Sequence, residues 1–166
     1  MSSADFKELA LPLINKKDAN LLNKLSLNTD YFKTTGCNFI DSWQEWEKIL
    51  RINLAKQRMI KYKKENVQVP EPPAKYVETV TIASKAVDEF SPLEGEIILD
   101  KARWNMIDSL TGSKYYFDRS NVFAYFLKLL LQERRQSFNT EKGFAEYKSL
   151  YNSIVESAQN SRGEHT

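Results

Sequence analysis

Five glycines in 166 residues, Gly36, Gly95, Gly112, Gly143 and Gly163, are too few to supply the left-handed turns that a protein of many short strands requires. The chain therefore reads as all-α. Ser42-Trp43-Gln44-Glu45 has the spacing of a capping box, in which a hydroxyl and a carboxylate satisfy each other's backbone amides, and it predicts a long helix over 43–65. Ser91-Pro92-Leu93-Glu94 repeats the pattern with proline at the first helical position, where its fixed φ suits the helix and its missing N–H costs nothing. That helix is expected to reach Leu110, with Gly112 ending it. Asp118 or Ser120 caps a third helix running to Gln136, and Asn139 or Thr140 caps a fourth over 140–158. Shorter helices are expected over 4–11 and 17–25.

Val67-Gln68-Val69-Pro70-Glu71-Pro72-Pro73 forbids helix continuation and favours an extended spacer. The expected organisation is a helical subdomain with a long basic helix over 1–66, a proline-rich linker over 67–74, a helical bundle over 75–158 and a disordered tail over 159–166. The two halves form either two subdomains or one bundle with a stiff crossover. The fold class expected is thus an all-α helical bundle: a long helix in the amino-terminal half and a three-helix carboxy-terminal core, joined by a proline-rich crossover.

Hydrophobic periodicity identifies the core. At 100° per residue the apolar side chains of 122–134 surround most of their helix and leave one polar strip at Tyr125, Lys128 and Gln132, so this helix is central. Its expected neighbours present Ile97, Ile98, Leu99, Trp104, Met106, Ile107 and Leu110 on one helix, and Phe144, Tyr147, Leu150, Tyr151 and Ile154 on the last.

The chemistry available is narrow. The sole histidine, His165, lies in the expected tail, which removes a Ser-His-Asp triad, a Cys-His pair, an HExxH zinc helix and a Glu-x-x-His di-iron site. Neither GxxxxGK[ST] nor GxGxxG occurs, so the backbone cradles for nucleotide phosphates are missing, and no Asp-x-Asp calcium loop is present. One cysteine, Cys37, excludes an internal disulfide and reads as a small, partly buried residue. Glu45 with Glu47, and Glu94 with Glu96, diverge around a helix and read as charges favoured near helix starts. Asp100 with Arg103, and Arg103 with Asp108, read as surface ion pairs of little energy. No catalytic residue, metal ligand or cofactor is expected. The net charge of +2 names no partner. The longest apolar run, 122–127, is too short to cross about 30 Å of hydrocarbon, and the amino terminus lacks a signal-peptide pattern, so a cytoplasmic location is expected.

The first long helix interleaves Lys48, Arg51, Lys56, Arg58, Lys61, Lys63 and Lys64 with Trp46, Ile49, Leu50, Ile52, Leu54, Met59, Ile60 and Tyr62. Its charges fall all round the wheel, which fits basic stems lying over apolar neighbours better than a phosphate-binding stripe. Three successive rings, Tyr115-Tyr116-Phe117, cannot all point inward from one loop, and with Trp43, Trp46 and Trp104 they serve either core or contacts. Arg51, Arg58, Lys61, Tyr115 and Tyr116 are the candidate partner interface.

Ser91-Pro92-Leu93-Glu94, Ile98-Leu99-Asp100-Lys101-Ala102-Arg103-Trp104, Ile107-Asp108, Phe123-Ala124-Tyr125-Phe126-Leu127-Lys128-Leu129, Glu133-Arg134, Phe138-Asn139 and Glu141-Lys142-Gly143 together resemble a bacterial family of helical proteins associated with V/A-type ATPases. That family is taken as the counterpart of the stalk component named C, called d in eukaryotes. Residues 46–64 are similar to the same family's basic helix. The resemblance spans 6–154 and rests on packing patterns rather than reactive groups; the C component proper is about twice as long. It implies a non-catalytic central-stalk component of a rotary ATPase. In that role the protein touches rotor-shaft subunits and the membrane ring, and supports proton or sodium transport without spanning the membrane. The alternative function is a soluble helical adaptor that binds peptides or acidic protein partners, with affinity that falls as salt rises.

Overall fold

The computed structural model describes residues 1–28, 34–63, 68–112, 118–138 and 140–163. Among these there are seven α-helices and no strand: α1 (Ser3–Ala10), α2 (Lys16–Lys24), α3 (Asn38–Lys61), α4 (Glu78–Asp88), α5 (Pro92–Thr111), α6 (Arg119–Ser137) and α7 (Thr140–Gly163). A 3-10 turn, Leu11–Leu13, follows α1. The all-α class is therefore as expected.

Several helix ends form as the local sequence dictates. Asp118 accepts a hydrogen bond from the Asn121 backbone N–H at 2.8 Å and caps α6, and Gly112, at φ 67°, ends α5 in a conformation that a β-carbon would strain. Ser2 and Asp5 form a capping box at α1, a start that the expected caps do not include. The Ser42 box does not form a helix start, because α3 begins at Asn38, and Ser42 and Glu45 lie inside it. Thr35 supplies the structured entry instead. Its backbone N–H and hydroxyl both donate to Asp41 at 2.8 Å, while its hydroxyl oxygen accepts from the Cys37 N–H at 3.1 Å. α3 stops at Lys61, where Lys63 takes a positive φ of 50°, short of the expected Glu65. Ser91 stands at the N-cap of α5, yet its hydroxyl makes no cap bond; the first turn is closed by the Gly95 N–H donating to the Ser91 carbonyl.

Two compact units are present, Met1–Glu133 and Arg134–Thr166. In the first, α3 packs on both α4 and α5, and α4 packs on α5. The proline-rich stretch thus behaves as a crossover within one bundle: the helix before it touches the helices after it. Residues 68–77 between them are non-helical and pinned at intervals, by Lys56 to Glu71 at 2.6 Å and by Lys75 to Glu45. The core gathers Leu22, Ile40, Trp43, Trp46, Leu50, Leu99, Ile107, Phe123, Phe126 and Leu127, each at most 2% exposed. α6 is central, as its periodicity requires: seven of its side chains are buried, while Tyr125 and Gln132 are exposed and Lys128 is half-buried. Asp18 of α2, nearly buried, pairs with Arg119 at the start of α6 at 2.7 Å.

At Gly95, α5 passes close to the backbone of α4. A β-carbon there would lie 2.6 Å from the backbone carbonyl oxygen of Ala86, a rigid group that moves only with its helix. Gly95→Ala is therefore expected to push the two helices apart and destabilise the protein by about 1–3 kcal/mol, measured by urea unfolding. A loss under about 0.5 kcal/mol would show that the helices can separate freely.

In the second unit, α7 runs to Gly163, five residues into the segment expected to be a disordered tail. The Arg134 guanidinium lies over the Phe138 ring at 5.6 Å. Phe144, Tyr147, Leu150, Tyr151 and Ile154 of this unit are exposed.

Candidate functional site

The feature that organises the first unit is a buried charge cluster. Glu47 of α3 is fully buried and accepts two hydrogen bonds from Arg103 of α5, Nε to Oε2 at 3.1 Å and Nη2 to Oε1 at 3.0 Å. Arg103 also donates to Asp100 at 2.9 Å. Arg51, one turn along α3, donates to Glu47 at 3.0 Å and to the Leu27 carbonyl at 3.0 Å. Burial opposes the charge of Arg103, but the adjacent Glu47 carboxylate and the bond to Asp100 outweigh it, holding the guanidinium pKa above its ordinary value. Two expectations are corrected here. Glu47 is no helix-start charge, and Asp100–Arg103 is no surface pair; at 8% and 6% exposure both residues are buried, because the far side of the fork is filled by Glu47 from another helix. Asp108 pairs instead with Lys128 of α6.

This cluster locks α5 onto α3, and Asn53 to Thr79 at 2.8 Å, also buried, fastens α4 to the same helix. The two attachments hold α4 and α5 side by side and leave a groove of about 480 Å³ between them. From α4, Glu78, Thr81, Ile82 and Lys85 face it, at spacings of three and four. From α5, Ile98, Lys101, Ala102, Asn105, Met106 and Ser109 do the same. The floor is Trp46 of α3, whose indole Nε1 donates to Glu78 at 3.3 Å. Glu78 is the only carboxylate among the lining residues and keeps its charge while accepting that bond, so against Lys85 and Lys101 the lining carries a net charge of +1.

A second, more mixed concavity of about 350 Å³ lies at the α4–α5 turn. Arg58 and Lys61 line it with Tyr62 and Phe90, and Phe90 is fully exposed. Lys61 donates to the Val87 carbonyl near the end of α4 and so is partly committed to the fold. Among the five interface residues expected from sequence, Arg58 and Lys61 come together here, whereas Arg51 braces the Glu47 cluster, the Leu27 carbonyl and the Asn28 side chain. Tyr115 and Tyr116 lie outside the described residues. Trp43 and Trp46, candidates for contacts, are core: they stack at 5.8 Å and are at most 1% exposed.

The groove escapes sequence reasoning because one of its walls does. No helix is expected over 78–88, although Glu78, Thr81, Ile82 and Lys85 fall on one helical face. Among the described residues, no group of three or more His, Cys, Asp or Glu side chains could hold a metal ion, and no helix is long and apolar enough to cross a membrane. Comparison of the chain with family models, with curated proteins and with solved structures finds no match.

Proposed function

We propose that this protein is a non-catalytic connector that works inside a larger assembly, a C/d-like component of the central stalk of a bacterial V/A-type ATPase. The observation that carries the connector reading is the apolar face of α7. Phe144, Tyr147, Leu150, Tyr151 and Ile154 are between 57% and 67% exposed, and at 100° per residue they fall within an arc of about 120°. Five large apolar side chains on one face of one helix form a contiguous patch of the kind that marks a protein contact. Tyr147 and Tyr151 stack at 6.4 Å, which makes that patch broad and rigid.

The choice of assembly rests on the sequence resemblance to the rotary-ATPase family. A body whose helices are cross-braced by buried ion pairs suits the task of passing torque between neighbours, since it resists shear between α3 and α5. On this reading the protein is held at the cytoplasmic face of the membrane through its neighbours. Affinity purification of the tagged full-length chain from its native membranes is expected to recover rotor-shaft and membrane-ring subunits. Recovery of none of them, with the rest of the ATPase still assembled, would overturn the assignment.

A further inference from the structure

We infer that the groove between α4 and α5 docks a helix of an acidic partner protein, one that is apolar along one face and carries Asp or Glu along the edges of that face. This deepens the connector reading by giving the chemistry of one neighbour. It rests on that reading only for the supposition that a neighbour exists.

Shape comes first. The α5 wall runs from Ile98 to Ser109, eleven steps of about 1.5 Å, so the groove offers about 16 Å of length, or three helical turns. Both walls are helices presenting residues at spacings of three and four, which is the surface a third helix packs against. Ile82, Ile98, Ala102 and Met106 are all only half-buried, although they sit at the inward positions of their helices. An extended strand would need free backbone donors and acceptors, and the walls, being helical, offer none.

Charge then selects the occupant. Lys85 on one wall and Lys101 on the other are exposed and form no ion pair among the described residues. Glu78, two helical turns before Lys85 on α4 and bonded to the Trp46 indole, offsets one of these two charges, so the groove stays net positive. A basic helix would therefore meet two cations as its apolar face seated, and an acidic one would gain two complementary contacts there.

The test uses two synthetic amphipathic peptides of about 18 residues with identical leucine stripes, one flanked by Glu and the other by Lys. Each is titrated into the full-length protein by fluorescence anisotropy. The acidic peptide is expected to bind about tenfold more tightly than its basic twin at low salt, with the gap narrowing as salt rises. In Lys85→Glu/Lys101→Glu the order of the two peptides should invert, and in Lys85→Gln/Lys101→Gln the difference should vanish. Both pairs of substitutions are at exposed positions, so circular dichroism should show the helical content of the parent.

Equal affinities, no binding of the acidic peptide, or an unchanged order in the charge-reversed protein would overturn the inference. So would two rival occupants. One is co-sedimentation with phosphatidylserine vesicles that the Glu substitutions abolish while peptide affinity stays flat, which would give the lysines to a membrane. The other is self-association that the same substitutions abolish, which would give the groove to a second copy. The peptide result stands apart from the co-purification result, since either can fail while the other holds.

Discussion

Glu47→Ala is expected to destabilise the protein by about 3–5 kcal/mol, because it strips Arg103 of two hydrogen bonds and leaves a buried guanidinium with only Asp100 to offset it. For a chain of this size that corresponds to a fall in Tm of roughly 10 °C or more. The sign of the effect does not mean that the cluster is a net source of stability. Bringing Glu47, Arg103 and Asp100 out of water costs energy, and their mutual attraction returns it only while every partner is in place. Replacing all three by apolar residues of similar volume, Glu47→Leu/Asp100→Leu/Arg103→Met, should therefore recover at least half of the loss. Urea unfolding monitored by circular dichroism reads both variants. A Glu47→Ala protein within about 1 kcal/mol of the parent would show that water reaches the cluster freely. A triple variant less stable than the single one would show that the ion pairs outweigh their burial.

Trp43→Ala carries the other large expected effect, about 3–5 kcal/mol, from lost burial and the cavity left behind. Trp43 is fully buried and stacked on Trp46 with ring planes 24° apart, so its removal also withdraws a stacking partner from the groove floor. Its indole Nε1, though buried, has no hydrogen-bond partner among the described residues. The residue is there for its volume and its π face, and the polar N–H costs something to bury. Trp43→Phe, which keeps an aromatic ring and removes that N–H, should consequently lose well under half as much as Trp43→Ala. A loss as large for Phe as for Ala would show instead that the indole N–H is satisfied in solution.

The burial of these two positions is not legible in local sequence, whereas other features are. The helical class follows from few glycines and from apolar spacing. The polar strip of α6 at Tyr125, Lys128 and Gln132 and the stop at Gly112 can be read directly, since both depend on a single helix and its own geometry. Helix starts are less secure. Ser42 and Glu45 have the spacing of a capping box, but the same spacing occurs within a helix, and the Thr35–Asp41 bonds that shape the entry to α3 precede it. α4 escapes notice because Thr79, Val80, Thr81, Ile82 and Val87 are β-branched and weaken any helical signal; burial of Thr79 and Ala83 against neighbouring helices stabilises it.

Local sequence therefore suffices to make the chain helical, to put α6 at the centre of its bundle, and to keep the proline stretch of 70–73 non-helical between two helices. Those properties are set by φ/ψ preferences and by the 3.6-residue period, which act within a few turns of chain. It took the assembled bundle to bury Glu47 and Arg103, fifty-six residues apart, on each other and to lay Trp46 along the floor of a groove. A charged residue in a sequence has the same identity whether water or a counter-charge completes its hydrogen bonds. Which of the two does so depends on packing between helices that no local period encodes.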